Sequence, residues 1–131
     1  MSADDRERWL VVDAMNVIGS RPTGWWRDRR GAMTRLVDEL GRYAQATDED
    51  VTVVLDSDPF DANAPGLDVR FAGRARDAAD DAIVDLVAHA PRPESLVVAT
   101  SDRRLVGRVR ALGAHTIGAG ALRRRLDEPV Q

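Results

Sequence analysis

The chain has 131 residues, of which 44% are apolar, and a formal net charge of −3. This length suits one domain with its own buried core, so we predict a single domain over residues 1–131. No apolar run reaches the roughly 20 residues that a membrane span needs, and the opening MSADDRER lacks a signal-peptide pattern, so we expect a cytoplasmic location. The sequence has no cysteine and no lysine, which excludes disulfides, thiolate metal sites, and P-loop and Schiff-base chemistry.

Apolar runs typical of strands alternate with helical patterns along the chain. The predicted strands are residues 9–13, 51–56, 69–73, 95–102 and 114–118. The predicted helices are residues 33–46, 77–90, 103–113 and 121–127, and a turn closed by Gly19 follows the first strand. Strands that are apolar throughout and separated by helices predict a three-layer α/β/α domain with a mostly parallel central sheet.

Three of these strands end in, or just before, an aspartate: Asp13, Asp56 and Asp102. A carboxylate leaving a core costs several kcal/mol unless it is hydrogen-bonded or holds a cation. Because the carboxyl ends of neighbouring parallel strands share one crevice, we expect these side chains to converge. Helix capping explains Asp102 equally well when it is taken alone. Three such residues together favour a cation site.

A fourth acid comes from the segment RDAADDAI. At 100° per residue, Asp80 lies at the margin of the apolar face of the predicted helix, whereas Asp77, Asp81 and Asp85 point toward water. We therefore expect Asp80 to face the crevice, with Asp77 as N-cap and Asp81 exposed. Stabilisation of the helix dipole is the alternative role for Asp80.

Five segments in a fixed order, VVDAMNVIGS, VTVVLDSD, ARDAADDAIVDLVA, VVATSDRRL and GAGALRRRL, resemble the NYN domains of the PIN-like nuclease superfamily, most closely their YacP-like branch. The resemblance implies a PIN-like sheet and an endoribonuclease that hydrolyses RNA phosphodiester bonds with a metal-activated water. It implies Mg²⁺ or Mn²⁺ as cofactor and RNA, ribosome-associated or otherwise structured, as partner. The middle segment reads ADD where the family often has one acid followed by serine, so Asp80 or Asp81 fills that position.

The resemblance also implies roles for individual residues. The implied catalytic residues are Asp13, Asn16, Asp80 and Asp102. We assign Asp13, Asp80 and Asp102 to the metal, directly or through water, and Asp56 is a further ligand or an outer acid. Asn16 would orient the substrate or a bound water. Carboxylate and amide oxygens are the ligands that Mg²⁺ and Mn²⁺ prefer.

The loop after the first strand combines arginines with two tryptophans, which suits RNA phosphates and bases. The predicted substrate-binding residues are Trp25, Trp26, Arg27, Arg29, Arg30, Arg74, Arg76, Thr100, Ser101 and Arg103. Solvated surface in an arginine-biased chain is the plainer explanation for any one cluster, and one tryptophan is expected to anchor the loop. Thr100 and Ser101 would bond the phosphate or Asp102, although capping explains Ser101 equally well.

Two other functions compete with a nuclease. A phosphatase would use Asp56 as nucleophile and Asp58 as acid, but the lysine that this chemistry needs is missing and the other three acids are left unexplained. A non-catalytic RNA-binding or partner-binding module of the same fold stays open. His89 and His115 look incidental. The identity of the RNA and the oligomeric state stay open too.

Overall fold

A five-stranded parallel sheet forms the centre of the computed structural model, which describes residues 8–128. Its strands are β1 (Trp9–Asp13), β2 (Asp50–Leu55), β3 (Leu67–Phe71), β4 (Leu96–Ala99) and β5 (His115–Ile117). Their order is β3-β2-β1-β4-β5, and Val12 of β1 pairs with Val53 on one side and Ala99 on the other. The carboxyl end of β1 is therefore flanked by the carboxyl ends of β2 and β4.

Within residues 8–128, five α-helices cover the two faces of this sheet. They are α1 (Ala14–Ile18), α2 (Arg29–Ala46), α3 (Ala78–His89), α4 (Arg103–Ala111) and α5 (Ala119–Asp127). Apolar residues of α1, α2 and α5 pack on one face and those of α3 and α4 on the other. Within residues 8–128, no helix has the length and apolar character needed to cross a membrane.

Strand β1 supplies both cores because its side chains alternate between the two faces. Leu10 and Val12 pack with Leu40 of α2, while Val11 packs with Ile83 of α3. All five side chains are almost completely buried. Burial of such a side chain contributes about 1.5–3 kcal/mol, so both helical layers are firmly held to the central strand. The predicted three-layer α/β/α architecture is confirmed, and every described strand pairing is parallel.

The boundaries of several elements differ from the sequence prediction. Helix α1 replaces the predicted turn after β1, and α2 begins at Arg29 rather than at residue 33. The earlier start of α2 follows from Asp28, whose Oδ1 accepts a hydrogen bond from the Gly31 amide at 3.0 Å. Strand β3 lies two residues earlier than predicted, and α5 begins at Ala119 rather than at residue 121.

Candidate active site

The carboxyl group of Asp13 lies at the end of β1 and is 5% exposed. Its Oδ2 accepts a hydrogen bond from Thr100 Oγ1 at 2.9 Å. Burial raises the pKa of Asp13 to about 7; the Thr100 bond opposes this rise, and the charges of Asp56, Asp80 and Asp102 add to it. The structure therefore brings Asp56, Asp80 and Asp102 within electrostatic range of Asp13. We call these four side chains the acidic edge.

Asp56 follows the last residue of β2 and is half-buried. Its Oδ1 is buried and, within residues 8–128, accepts no hydrogen bond. Burial raises the pKa of Asp56, whereas the nearby Arg29 guanidinium lowers it. A buried carboxylate oxygen without a donor is rare in folded proteins and leaves acceptor capacity for a ligand.

Asp80 and Asp81 take different directions from the first turn of α3. Asp80 is half-buried, and its pKa is raised by burial and by the charges of Asp102, Asp77 and Asp56. Asp81 is exposed and forms an ion pair with Arg108 at 3.2 Å. The helical geometry predicted these two orientations correctly. Which of the two would bind a metal stays a prediction.

Asp77 occupies the N-cap position of α3, but its side chain makes no capping hydrogen bond, so the predicted capping role is wrong. Its backbone has φ 63°, in the left-handed region that is unfavourable for residues other than glycine. The carboxylate lies 3.9 Å from the Arg104 guanidinium instead. This backbone conformation turns the carboxylate away from the amides that a cap would serve.

Asp102 caps α4, which is the alternative role that the sequence suggested for this residue. Its Oδ1 accepts hydrogen bonds from the Arg104 amide at 2.9 Å and the Leu105 amide at 3.3 Å. Its own amide donates to Thr100 Oγ1 at 3.1 Å. Since both capping bonds use Oδ1, Oδ2 takes no part in the cap. Capping and a place in the acidic edge are therefore compatible, and Thr100 links Asp102 to Asp13.

Asn16 and Ser101 connect three parts of the site. Asn16 Oδ1 accepts a hydrogen bond from the Ser101 amide at 2.7 Å, which holds the loop between β4 and α4 against α1. Ser101 Oγ accepts from the Ala119 amide at 2.9 Å. Ser101 thus bonds the first turn of α5 rather than the helix that follows it in sequence. The spacing of these residues in the chain gave no signal for either contact.

The two predicted tryptophans differ in exposure. Trp25 packs against the core, whereas Trp26 is 54% exposed. Their rings are almost perpendicular, with centroids 5.8 Å apart. The guanidinium of Arg29 lies 5.8 Å from the Trp25 ring centroid and that of Arg30 lies 4.7 Å from the Phe60 ring centroid. Trp25 is therefore the anchor expected for this loop, and Trp26 presents its ring to solvent.

The other predicted substrate-binding arginines extend into solvent from loops at the carboxyl edge of the sheet and from the start of α4. These arginines are Arg27, Arg74, Arg76 and Arg103. Within residues 8–128, none of the four forms an ion pair. Exposed arginines without an ion-pair partner are available to bind an anion that the carboxylates alone would repel. Contact with substrate stays a prediction for all four.

A divalent cation fits the chemistry of the acidic edge, in a hydrated form. Among residues 8–128, no group of three or more acidic, histidine or cysteine side chains is close enough to hold a metal ion as a ready-made site. The donors are nevertheless carboxylates, and Asp56 Oδ1 has no protein donor. Mg²⁺ usually keeps several waters, so one or two direct ligands with others acting through water suit these residues. His89 and His115 are exposed, and His89 bonds the Asp85 carbonyl oxygen.

The sheet order and the family match of residues 10–131 together show a nuclease-like domain of the NYN class. Residues 10–131 match the YacP-like NYN domain, and the chain belongs to this family. The chain is similar to Rae1 (YacP) from Bacillus subtilis: a mutant form has 25% identity and a TM-score of 0.75, over 92% of this chain and 75% of that chain. A second Rae1 (YacP) structure has 24% identity and a TM-score of 0.68, over 90% and 72%. No curated protein sequence matches the chain.

Proposed function

We propose that this protein is a divalent-metal-dependent endoribonuclease that hydrolyses RNA phosphodiester bonds at the acidic edge. The observation that carries this proposal is the buried carboxyl group of Asp13, whose pKa is raised by burial and by three further aspartates. Strongly perturbed carboxyl groups that converge in this way are typical of functional sites. Membership of a nuclease-like family agrees with this function.

The acidic edge would hold the cation through Asp13, Asp80 and Asp102, with Asp56 as a further ligand or outer acid. When bound, a divalent cation neutralises charge on the phosphate and makes water a stronger nucleophile near neutral pH. Asn16 acts indirectly, because its bond to the Ser101 amide positions the loop that carries Asp102. The predicted contact of Asn16 with substrate or water stays a prediction, because the Ser101 amide uses only Oδ1.

The arginines around the acidic edge would bind the RNA backbone. The Arg29 guanidinium lies 5.8 Å from the Trp25 ring centroid, and its charge lowers the pKa of Asp56, so it would bind a phosphate close to the cation. Trp26 offers a solvent-exposed ring on which a base can stack. Whether the RNA is ribosome-associated or otherwise structured stays a prediction of the family resemblance.

A labelled RNA incubated with the protein and Mn²⁺, with and without chelator, tests this function. We expect cleavage with Mn²⁺ and none in excess chelator. Attack by water rather than by the ribose 2′-hydroxyl leaves a 5′-phosphate and a 3′-hydroxyl, which end-group mapping detects. Full cleavage in chelator, or cyclic phosphate ends, would overturn the mechanism. Tight RNA binding without cleavage at any metal concentration would identify a non-catalytic binding module instead.

A further inference from the structure

A cleft of about 580 Å³ lies between α2, α5 and the loop that follows α1. No residue of the acidic edge lines it. Its charged lining residues are Arg21, Arg35, Asp38, Glu39, Arg42 and Arg123. We call this the arginine cleft. Four guanidinium groups face two carboxylates in its lining, so the cleft is suited to an anion.

Ion pairs fix one wall of the arginine cleft. Arg123 bonds Glu39 of α2 and lies 3.7 Å from Asp127, which in turn pairs with Arg21 at 2.5 Å. Arg123 is 15% exposed, yet its Nε is buried and donates no hydrogen bond within residues 8–128. Almost all buried N–H groups in folded proteins have an acceptor. Arg21 and Arg123 are nevertheless held in place by carboxylates at the edge of the cleft.

Arg35 and Arg42 of α2 also line the cleft and are both exposed. Neither forms an ion pair with another residue in the described part of the chain. They lie two turns apart on one face of α2, a separation of about 10 Å along the helix axis. Unpaired cations spaced along a groove are the arrangement with which proteins follow a nucleic-acid backbone.

We propose that the arginine cleft binds phosphate groups of the RNA outside the cleavage site. This inference rests on the proposed function, since it extends the same RNA beyond the acidic edge. The loop after α1 joins the two regions: Arg21 and Thr23 line the cleft, and Trp25 and Trp26 follow them directly. An RNA stacked on Trp26 can therefore continue along this loop toward α2.

A charge-matched pair of double variants tests the arginine cleft. R35Q with R42Q removes the two unpaired cleft arginines, and R110Q with R124Q removes two exposed arginines that do not line the cleft.

Binding of single-stranded RNAs of increasing length is measured at several salt concentrations, in chelator so that the RNA is not cleaved. We expect the cleft variant to reduce the slope of log affinity against log salt by about 1.4 for the longer RNAs only, at about 0.7 for each lost contact. The control should leave that slope nearly unchanged. Melting curves confirm that all variants fold.

Equal slopes for the cleft variant and the control would overturn the assignment, even if the parent protein cleaves RNA. Conversely, a cleft-dependent slope without metal-dependent cleavage would refute the nuclease proposal and leave the cleft as an RNA-binding site. Inorganic phosphate and pyrophosphate form a second arm. If they raise the melting temperature of the parent but not of R35Q with R42Q, while RNA binding is identical in both, the cleft serves a small phosphate compound and the RNA assignment is wrong.

Discussion

The polar side chains around Thr52 and those of the acidic edge differ in how many of their donors and acceptors form hydrogen bonds. Thr52 of β2 is 2% exposed; its Oγ1 accepts from Trp9 Nε1 at 2.8 Å and donates to Asp68 Oδ2 at 3.0 Å. Asp68 in turn accepts from Arg70 Nε at 2.9 Å. Every member of this network has a partner, and its one carboxylate lies beside a guanidinium.

The acidic edge has the opposite character. Asp13 is equally buried, but it has one neutral donor in Thr100 and carboxylates around it, and Asp56 keeps a buried oxygen without any donor. A buried polar network stabilises a fold when it is complete. An incomplete, like-charged group destabilises the fold unless a ligand completes it. The Thr52 network therefore stabilises the sheet by itself, whereas the acidic edge has hydrogen-bonding capacity and charge that only a bound ligand would satisfy.

The largest expected effect is the loss of cleavage in Asp80→Asn and Asp102→Asn. Each change removes one charge from the acidic edge, and we expect RNA cleavage to fall by about 10²-fold or more. Asparagine caps helices as well as aspartate does, so the metal-free Asp102→Asn protein should unfold at the same temperature as the parent or higher. The rise in melting temperature that Mn²⁺ gives the parent should disappear.

Asp81→Asn is the matched control for these variants, because Asp81 is exposed and pairs with Arg108. It should change neither cleavage nor the response to Mn²⁺. Should Asp81→Asn abolish cleavage while Asp80→Asn does not, the second acid of the ADD segment is the ligand. Normal cleavage by all three variants would mean that the acidic edge is not catalytic.

A second expected effect is an unusual dependence of metal-free stability on pH. Asp13 has a pKa of about 7 in the folded protein against an ordinary value of 3.8. Between these values the folded protein binds a proton that the unfolded chain has lost, so the free energy of unfolding falls as pH rises from about 4 to about 7. The loss from this group is up to about 4 kcal/mol. Urea unfolding in chelator at several pH values measures it. Asp13→Asn should remove most of the decline; an equally steep decline in that variant would contradict the assignment.

A smaller effect is expected in RNA binding when Arg27, Arg29 and Arg30 are replaced together by alanine. Fewer counterions would be released from the RNA, so the slope of log affinity against log salt should fall by up to about 2. Binding titrations in chelator at several salt concentrations measure this. Arg124→Ala provides a single-charge comparison away from the loop. A slope identical to that of the parent would show that the loop does not bind RNA.

The smallest effect is expected on stability, in the hydrogen-bond network around Thr52. Thr52→Val keeps the shape of the side chain but removes the acceptor of Trp9 and one donor to Asp68. We expect the free energy of unfolding to fall by about 1–2 kcal/mol, with RNA cleavage unchanged. Variants of the acidic edge are expected to show the reverse, a loss of cleavage without a loss of stability. A loss of cleavage comparable to that of Asp102→Asn would remove the distinction between the two regions.

The sequence predicted the sheet well because each buried strand is a continuous apolar run. It did not predict α1, since this helix has five residues, too few for a helical period, and its N-cap residue Asp13 makes no side-chain capping bond. The start of β3 was also misplaced. Only one face of this edge strand packs inward, so its residues alternate and give a weaker signal.

The acids of the candidate site were predictable because strand ends and helical angles depend on local sequence. The contacts that position them were not. Ser101 bonds the amide of Ala119, and Asn16 bonds the amide of Ser101, across long stretches of chain. The missing cap of Asp77 could not be predicted either, although a cap involves residues close in sequence. Its position predicted a cap, but its left-handed backbone conformation directs the side chain elsewhere.

The central place of β1 has a consequence for the order in which the acidic edge assembles during synthesis. Thr100, the hydrogen-bond donor to Asp13, lies 87 residues later in the chain. Strands β1, β2 and β3 can pair as soon as they leave the ribosome, and they carry Asp13 and Asp56 with them. Asp80 comes with α3, which packs on β1 and β2. Asp102 arrives only when β4 docks on the free side of β1, a late event because closing so long a loop costs entropy. A growing chain that ends before β4 therefore lacks Asp102 and the Thr100 donor to Asp13, so the acidic edge is completed only after most of the sheet has formed.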